Sequence, residues 1–280
     1  MVFEAAEAAR WILAIAAAGI AVATAEDLYR FAIFSDGGLL SWRVLRLATR
    51  SMYEGTIWSW ISRLLRPHVF RALLLSRLST AVFVCAITIV GWSEWYLLLA
   101  GSLTLLLATV LLSLRSNGFG LDGAHQMNLI ILAHMTVFWL APAGSVIRTW
   151  CLIALGLHAV LAYVASGVFK AAGPMWRSGD AISGIMSAKI YGHRSFGMLL
   201  NRYRGLSLLM CWFTILFEVS FFVVLFSDGT VLYALLAVGL MFHVANAVFM
   251  GLGGFLFAFV ATYPAVVFLN SQSLAFLSRA

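Results

Sequence analysis

Residues 206–226 read LSLLMCWFTILFEVSFFVVLF, and this stretch settles what kind of molecule the chain forms. A helix needs roughly 20 apolar residues to cross about 30 Å of hydrocarbon, and this run supplies them with a single charged side chain, Glu218. Seven further apolar runs lie at about 11–25, 72–90, 95–114, 124–141, 147–169, 231–248 and 251–269. Across the chain 63% of residues are apolar and 10% are charged, against about 25% charged in an ordinary soluble domain. Too little polar surface remains to clothe a water-soluble body. The expectation is an all-α, polytopic transmembrane helical bundle of about eight spans, forming a single domain over 1–280.

The runs differ in detail. The first is short, and extending it toward Phe34 would bring Glu26, Asp27 and Arg30 into hydrocarbon. It does not read as a cleaved signal, because Glu4 and Glu7 outnumber Arg10 where a positive segment is required. The last two runs abut, as two tightly turned helices or as a pair of half-helices. Cys85, Cys151 and Cys211 all fall inside apolar runs without a metal-ligand spacing, so no metal is expected.

The charge of +7 is sorted by loop rather than gathered into a nucleic-acid-binding tract, and no nucleic-acid partner is expected. Segment 32–71 mixes Arg43, Arg46, Arg50, Arg63 and Arg66 with Trp42, Trp58, Trp60, Leu64 and Leu65, which reads as interfacial amphipathic helices between the first and second spans. It would serve as a membrane anchor, or as a docking surface for a partner or an anionic lipid. Connections 115–123 and 170–205 are also basic, whereas Glu94, Arg148 and Asp228 mark short, nearly neutral ones. By the positive-inside rule the basic connections are cytoplasmic and both termini lie outside.

Ionisable and amide side chains inside spans are costly, and they mark candidate sites. Glu218 must face protein or water, either as a structural partner of a base or as part of a site. His243 and Asn246 stand three residues apart and share a helix face, as do His125 and Asn128; each pair is packing glue between helices or part of a pocket. His134 looks out from the face opposite His125, and His158 reads as a core histidine. Lys170, one of only two lysines, ends the fifth run just before Pro174, Met175 and Trp176. It either snorkels to the interface or acts as a base accepting a proton from substrate.

The order and spacing of these pieces over about 115–269 resembles the vitamin K-dependent gamma-carboxylase superfamily, also called the horizontally transferred transmembrane domain family. The stretch from Tyr163 through Lys170 and Trp176 to Gly179 looks like its aromatic, lysine and W-x-x-G segment. Phe217-Glu218 is similar to its acidic helix, and Phe242-His243-Val244-Ala245-Asn246, Gly251 and Tyr263-Pro264 are similar to its F-H-x-x-N, G and P run. His125 matches a histidine after the third helix.

The resemblance implies that Lys170 deprotonates a reduced quinone, which oxygen then turns into a strong base that takes a proton from a glutamate side chain before carbon dioxide is captured. His125 and His243 would stabilise developing negative charge, Asn246 would orient a group, and Asn128, Glu218 and Trp176 would complete the pocket. The chain ends at Ala280 without the large soluble region of the carboxylase. In length it is closer to short bacterial relatives such as the sporulation-delaying protein B group. These imply a bacterial cytoplasmic membrane location, a secreted peptide substrate and a small accessory protein that supplies substrate recognition. The resemblance places the site outside, whereas the charge rule places the connection after Lys170 inside. A non-catalytic scaffold, exporter or immunity protein for a peptide toxin is the alternative function. No phosphate-binding loop, dinucleotide fingerprint or H-E-x-x-H sequence is present.

Overall fold

The computed structural model describes residues 4–38, 40–49, 56–92, 94–116, 123–189 and 192–279, with the backbone alone at 46–49, 56–58 and 61. Every regular element among them is helical. Contacts divide the chain into two compact units, Ala9–Arg148 and a second formed by Thr149–Ala280 with Met1–Ala8.

The Ala9–Arg148 unit contains α1 (Ala5–Tyr29), α2 (Trp42–Thr49), α3 (Thr56–Leu64), α4 (Pro67–Val90), α5 (Trp95–Ser116) and α6 (Gly123–Leu140). Helix α1 does carry Glu26 and Asp27 in its last turns, and its Thr24 hydroxyl accepts a 2.9 Å hydrogen bond from buried Arg77 of α4. Gly91, at φ 83°, ends α4 in the left-handed conformation that glycine adopts without steric cost. Arg115 stitches the segment after α1 to the spans. Its guanidinium donates to the Phe34 carbonyl at 3.0 Å and lies 5.1–5.9 Å from the rings of Phe34, Trp42 and Phe70. Arg50 and residues 117–122 lie outside the described residues, as does the side chain of Arg46.

The second unit contains α7 (Val146–Ala172), α8 (Pro174–Arg177), α9 (Asp180–Ser187), α10 (Arg194–Arg202), α11 (Arg204–Ser220), α12 (Gly229–Met250), α13 (Gly253–Val260) and α14 (Tyr263–Leu277). Its core is aromatic and aliphatic, gathered around Tyr163, Phe217, Phe221 and Val266. Two glycines on α7 permit close backbone approach. A Cβ at Gly156 would come within 2.7 Å of the Ala265 carbonyl, and one at Gly167 within 2.7 Å of the Val219 nitrogen. The basic connection 173–203 folds into α8, α9 and α10, and its Asp180 carboxylate accepts from Arg204 at 2.9 Å.

Among the described residues, seven helices are long and apolar enough to cross a bilayer: α1, α4, α5, α7, α11 with the tighter turn that continues it to Leu225, α12, and the Gly253–Leu277 helix. This is the make-up of an integral membrane protein. Val82, Leu107, Leu161 and Leu216 leave large apolar side chains exposed on these helices, a surface suited to lipid rather than water. The fourth expected run forms α6, whose 18 residues include His125, Gln126, Asn128 and His134, and it is not among the seven. The last two runs form separate helices turned at Gly251, and the second is itself broken into α13 and α14 ahead of Pro264.

Candidate functional site

The spacing of α7 aims three polar side chains along one face. Tyr163, Ser166 and Lys170 stand at i, i+3 and i+7, so each lies over the next on successive turns. Because Gly167 has no side chain, α11 approaches this part of α7 closely enough for Lys170 Nζ to donate to both Glu218 oxygens, at 2.6 and 2.8 Å. The lysine also donates to Ser166 Oγ, and it sits 5.2 Å from the centre of the Trp176 ring. The side chains of Lys170 and Glu218 are 18% and 4% exposed, so the pair is held away from bulk water. Directly after Glu218 the helix tightens into the 3-10 turn Phe221–Leu225, a change of winding often found beside functional positions.

A second polar group lies beside this pair. Tyr163 Oη and His243 Nε2 share a 2.7 Å hydrogen bond, and Tyr163 Oη stands 3.3 Å from Tyr263 Oη. Tyr263 reaches it from the break between α13 and α14, into space that any side chain at Gly239 would fill. The Tyr163 ring stacks on Phe221 at 4.0 Å, and the His243 ring on Phe259 at 4.6 Å, so both are fixed by their faces. His243 is buried, and its Nδ1 has no hydrogen-bond partner. That is an unusual state for a buried nitrogen, since most are satisfied.

Both groups open onto one cavity of about 670 Å³ in this unit. Its wall is mostly apolar, including Phe213, Phe242, Phe249 and Phe255, with Lys170, Ser166, Glu218, His243 and Asn246 among its polar points. Trp176, Ile182, Met186 and Phe196 of α8, α9 and α10 close another side. Asn246, one turn beyond His243, lines the cavity and makes no side-chain hydrogen bond among the described residues.

The structure therefore brings together Lys170, Glu218, His243, Asn246 and Trp176, five of the residues singled out from sequence. His125 and Asn128 belong to α6 of the other unit, where His125 Nε2 and Ser113 Oγ share a 2.6 Å hydrogen bond. Tyr163 and Tyr263, quoted from sequence only as parts of the resemblance, and Ser166 join the site without a role having been assigned to them. The heptad spacing of Tyr163 and Lys170 was the available signal. Among the described residues no three His, Cys, Asp or Glu side chains gather as a metal site.

Chemically, the arrangement offers a cation and a carboxylate that can exchange a proton, a tyrosine–histidine couple beside them, and unused donor or acceptor atoms at His243 and Asn246. Comparison with protein-family models, with characterised proteins and with solved structures gave no match.

Proposed function

We propose that this is an integral membrane enzyme of the vitamin K-dependent carboxylase type that modifies or matures a secreted peptide, with Lys170 as the base and a reduced quinone as cofactor. The observation that carries this reading is the Lys170–Glu218 pair set into the wall of an apolar cavity together with Tyr163 and His243. A volume near 670 Å³ falls within the roughly 300–1,000 Å³ of small-molecule sites. The lining suits a flat, apolar ring with a few oxygen substituents, and the unpartnered His243 Nδ1 and the Asn246 amide are placed to meet such oxygens.

When bound, the quinol would supply an acidic hydroxyl and the reaction with oxygen. The chain's own part is proton handling. Glu218 would take the proton of Lys170, becoming a neutral carboxyl and leaving the amine as the base; the amine would then hold an accepted hydroxyl proton as an ammonium, and release of the Glu218 proton to water would restore the ion pair. Trp176 and the phenylalanines exclude water, which strengthens each of these electrostatic contacts. Helix α6 would serve as an eighth span and α2 and α3 as interfacial helices, in a bacterial cytoplasmic membrane. A small accessory protein would present the peptide.

Lys170→Arg tests the role. Arginine retains the positive charge and can hold Glu218, but it does not give up its proton in proteins. The expected outcome is a variant that inserts and purifies like the parent yet yields no modified peptide by mass spectrometry of secreted peptides. A peptide of unchanged modified mass in that variant would remove Lys170 as the base and leave a non-catalytic scaffold as the better account.

A further inference from the structure

The Ala9–Arg148 unit carries a different cavity, of about 810 Å³, walled by Asp36, Arg43, Ser62, Arg63, Arg66 and His68. Three arginines thus face one acid. Asp36 meets Arg43 at 3.5 Å, with both side chains at least half exposed, so this pair adds little hold on either. Among the described residues Arg63 and Arg66 meet no carboxylate. The Arg63 guanidinium lies over the Trp60 ring, 4.7 Å from its centre.

The backbone contributes the same sign. Arg66 is the N-cap of α4; no side chain caps the helix, and no acid stands in its first turn. The N–H groups of His68 and Val69 therefore have no intrahelical acceptor, and the positive end of the helix dipole adds to the arginines. The depth of the cavity follows from α4 itself. At 24 residues and about 1.5 Å per residue this helix is long enough to span the hydrocarbon, and its apolar run begins at about residue 72, so Pro67 lies just over one turn beyond that run. Arg63, Arg66 and His68 then stand at the level of lipid phosphates, beside an exposed Trp60 of the kind that anchors membrane interfaces.

We propose that this cavity binds the phosphate of an anionic glycerophospholipid, with Arg63 and Arg66 as the main cations and the His68 amide at the start of α4 completing the cradle. Phosphate is the shared chemistry of a lipid headgroup and of the free ion, and the interfacial depth selects the headgroup.

The test uses the full-length protein in detergent and native mass spectrometry, with phosphatidylglycerol, phosphatidylcholine or inorganic phosphate added separately. Phosphatidylglycerol is expected to occupy the protein at lower concentration than phosphatidylcholine, and millimolar inorganic phosphate should not displace it. Arg63→Gln and Arg66→Gln should each weaken phosphatidylglycerol occupancy on the order of five-fold. Arg63→Lys with Arg66→Lys should retain most of it, and Arg177→Gln, which removes one positive charge elsewhere, should leave it unchanged. If either single glutamine variant does not elute as a single species, the other carries the same comparison. Equal occupancy by the two lipids, unchanged occupancy in the glutamine variants, or displacement by inorganic phosphate would overturn the proposal.

Discussion

Glu218 and Lys170 each depend on the other. A lone charge in the middle of a membrane helix costs roughly 2.5–3.5 kcal/mol on insertion scales, and removing one member of a buried pair costs about 3–5 kcal/mol because its mate is left uncompensated. With side-chain exposures of 4% and 18%, neither group has water to fall back on. Glu218→Leu alone should therefore lower the thermal unfolding midpoint of the purified protein markedly. The double variant Glu218→Leu with Lys170→Met should recover most of that loss, since an apolar pair of similar volume carries no desolvation cost. If the double variant is as unstable as the single one, the two charges do not compensate each other. These two residues were legible from sequence because an ion in an apolar run is an anomaly. Tyr163 and Tyr263 stood in the sequence only as parts of the resemblance, and nothing local announced their meeting, which joins positions 100 residues apart.

Helix α7 places the site because two of its positions lack a side chain. A Cβ at Gly167 would stand 2.7 Å from the Val219 nitrogen and 2.9 Å from Glu218 Cβ, and backbone cannot move aside as the end of a flexible side chain can. Gly167→Ala should push α7 off α11 beside the Lys170–Glu218 contact. An overpacking cost of about 1–3 kcal/mol is expected in unfolding measurements, with a loss of peptide modification larger than the loss of folded protein. Wild-type stability together with full modification in that variant would show that close approach is not what sets the pair. The apolar runs announced most of the long helices, whose boundaries follow from length and hydropathy. The role of α8, α9 and α10 was hidden, because the connection 170–205, with six Lys or Arg against Asp180, shows only its charge in sequence, whereas Trp176, Ile182, Met186 and Phe196 turn inward to wall the cavity. Such a tertiary choice leaves no periodic mark in short segments. The break before Pro264 could be read from the proline, but not its consequence of delivering Tyr263 to Tyr163.

The sorting of charge makes a statement about the molecule in its membrane. Within the second unit, the connection 173–203 and the turn at 226–228 lie at opposite ends of the Arg204–Leu225 span. The positive-inside rule puts the first of these in the cytoplasm, next to Lys170. Single cysteines at Lys189 and Asp228, in a background where Cys85, Cys151 and Cys211 are replaced by serine or alanine, should react with an impermeant maleimide from opposite faces, Asp228→Cys in intact cells and Lys189→Cys only after permeabilisation. Labelling of Lys189→Cys in intact cells would reverse the orientation and bring the lysine to the outer face, as the resemblance to the carboxylase implies.

The contact of Lys170 with Glu218 has an electrical corollary. An energised membrane exerts about 2.3 kcal/mol per elementary charge per 100 mV across its thickness, and a lone ammonium buried partway through would feel a share of that field. Ammonium and carboxylate locked 2.6 Å apart sum to zero, so a proton passed between them moves almost no charge along the field. Proton exchange within such a couple should therefore run at the same pace in a polarised and a depolarised cell.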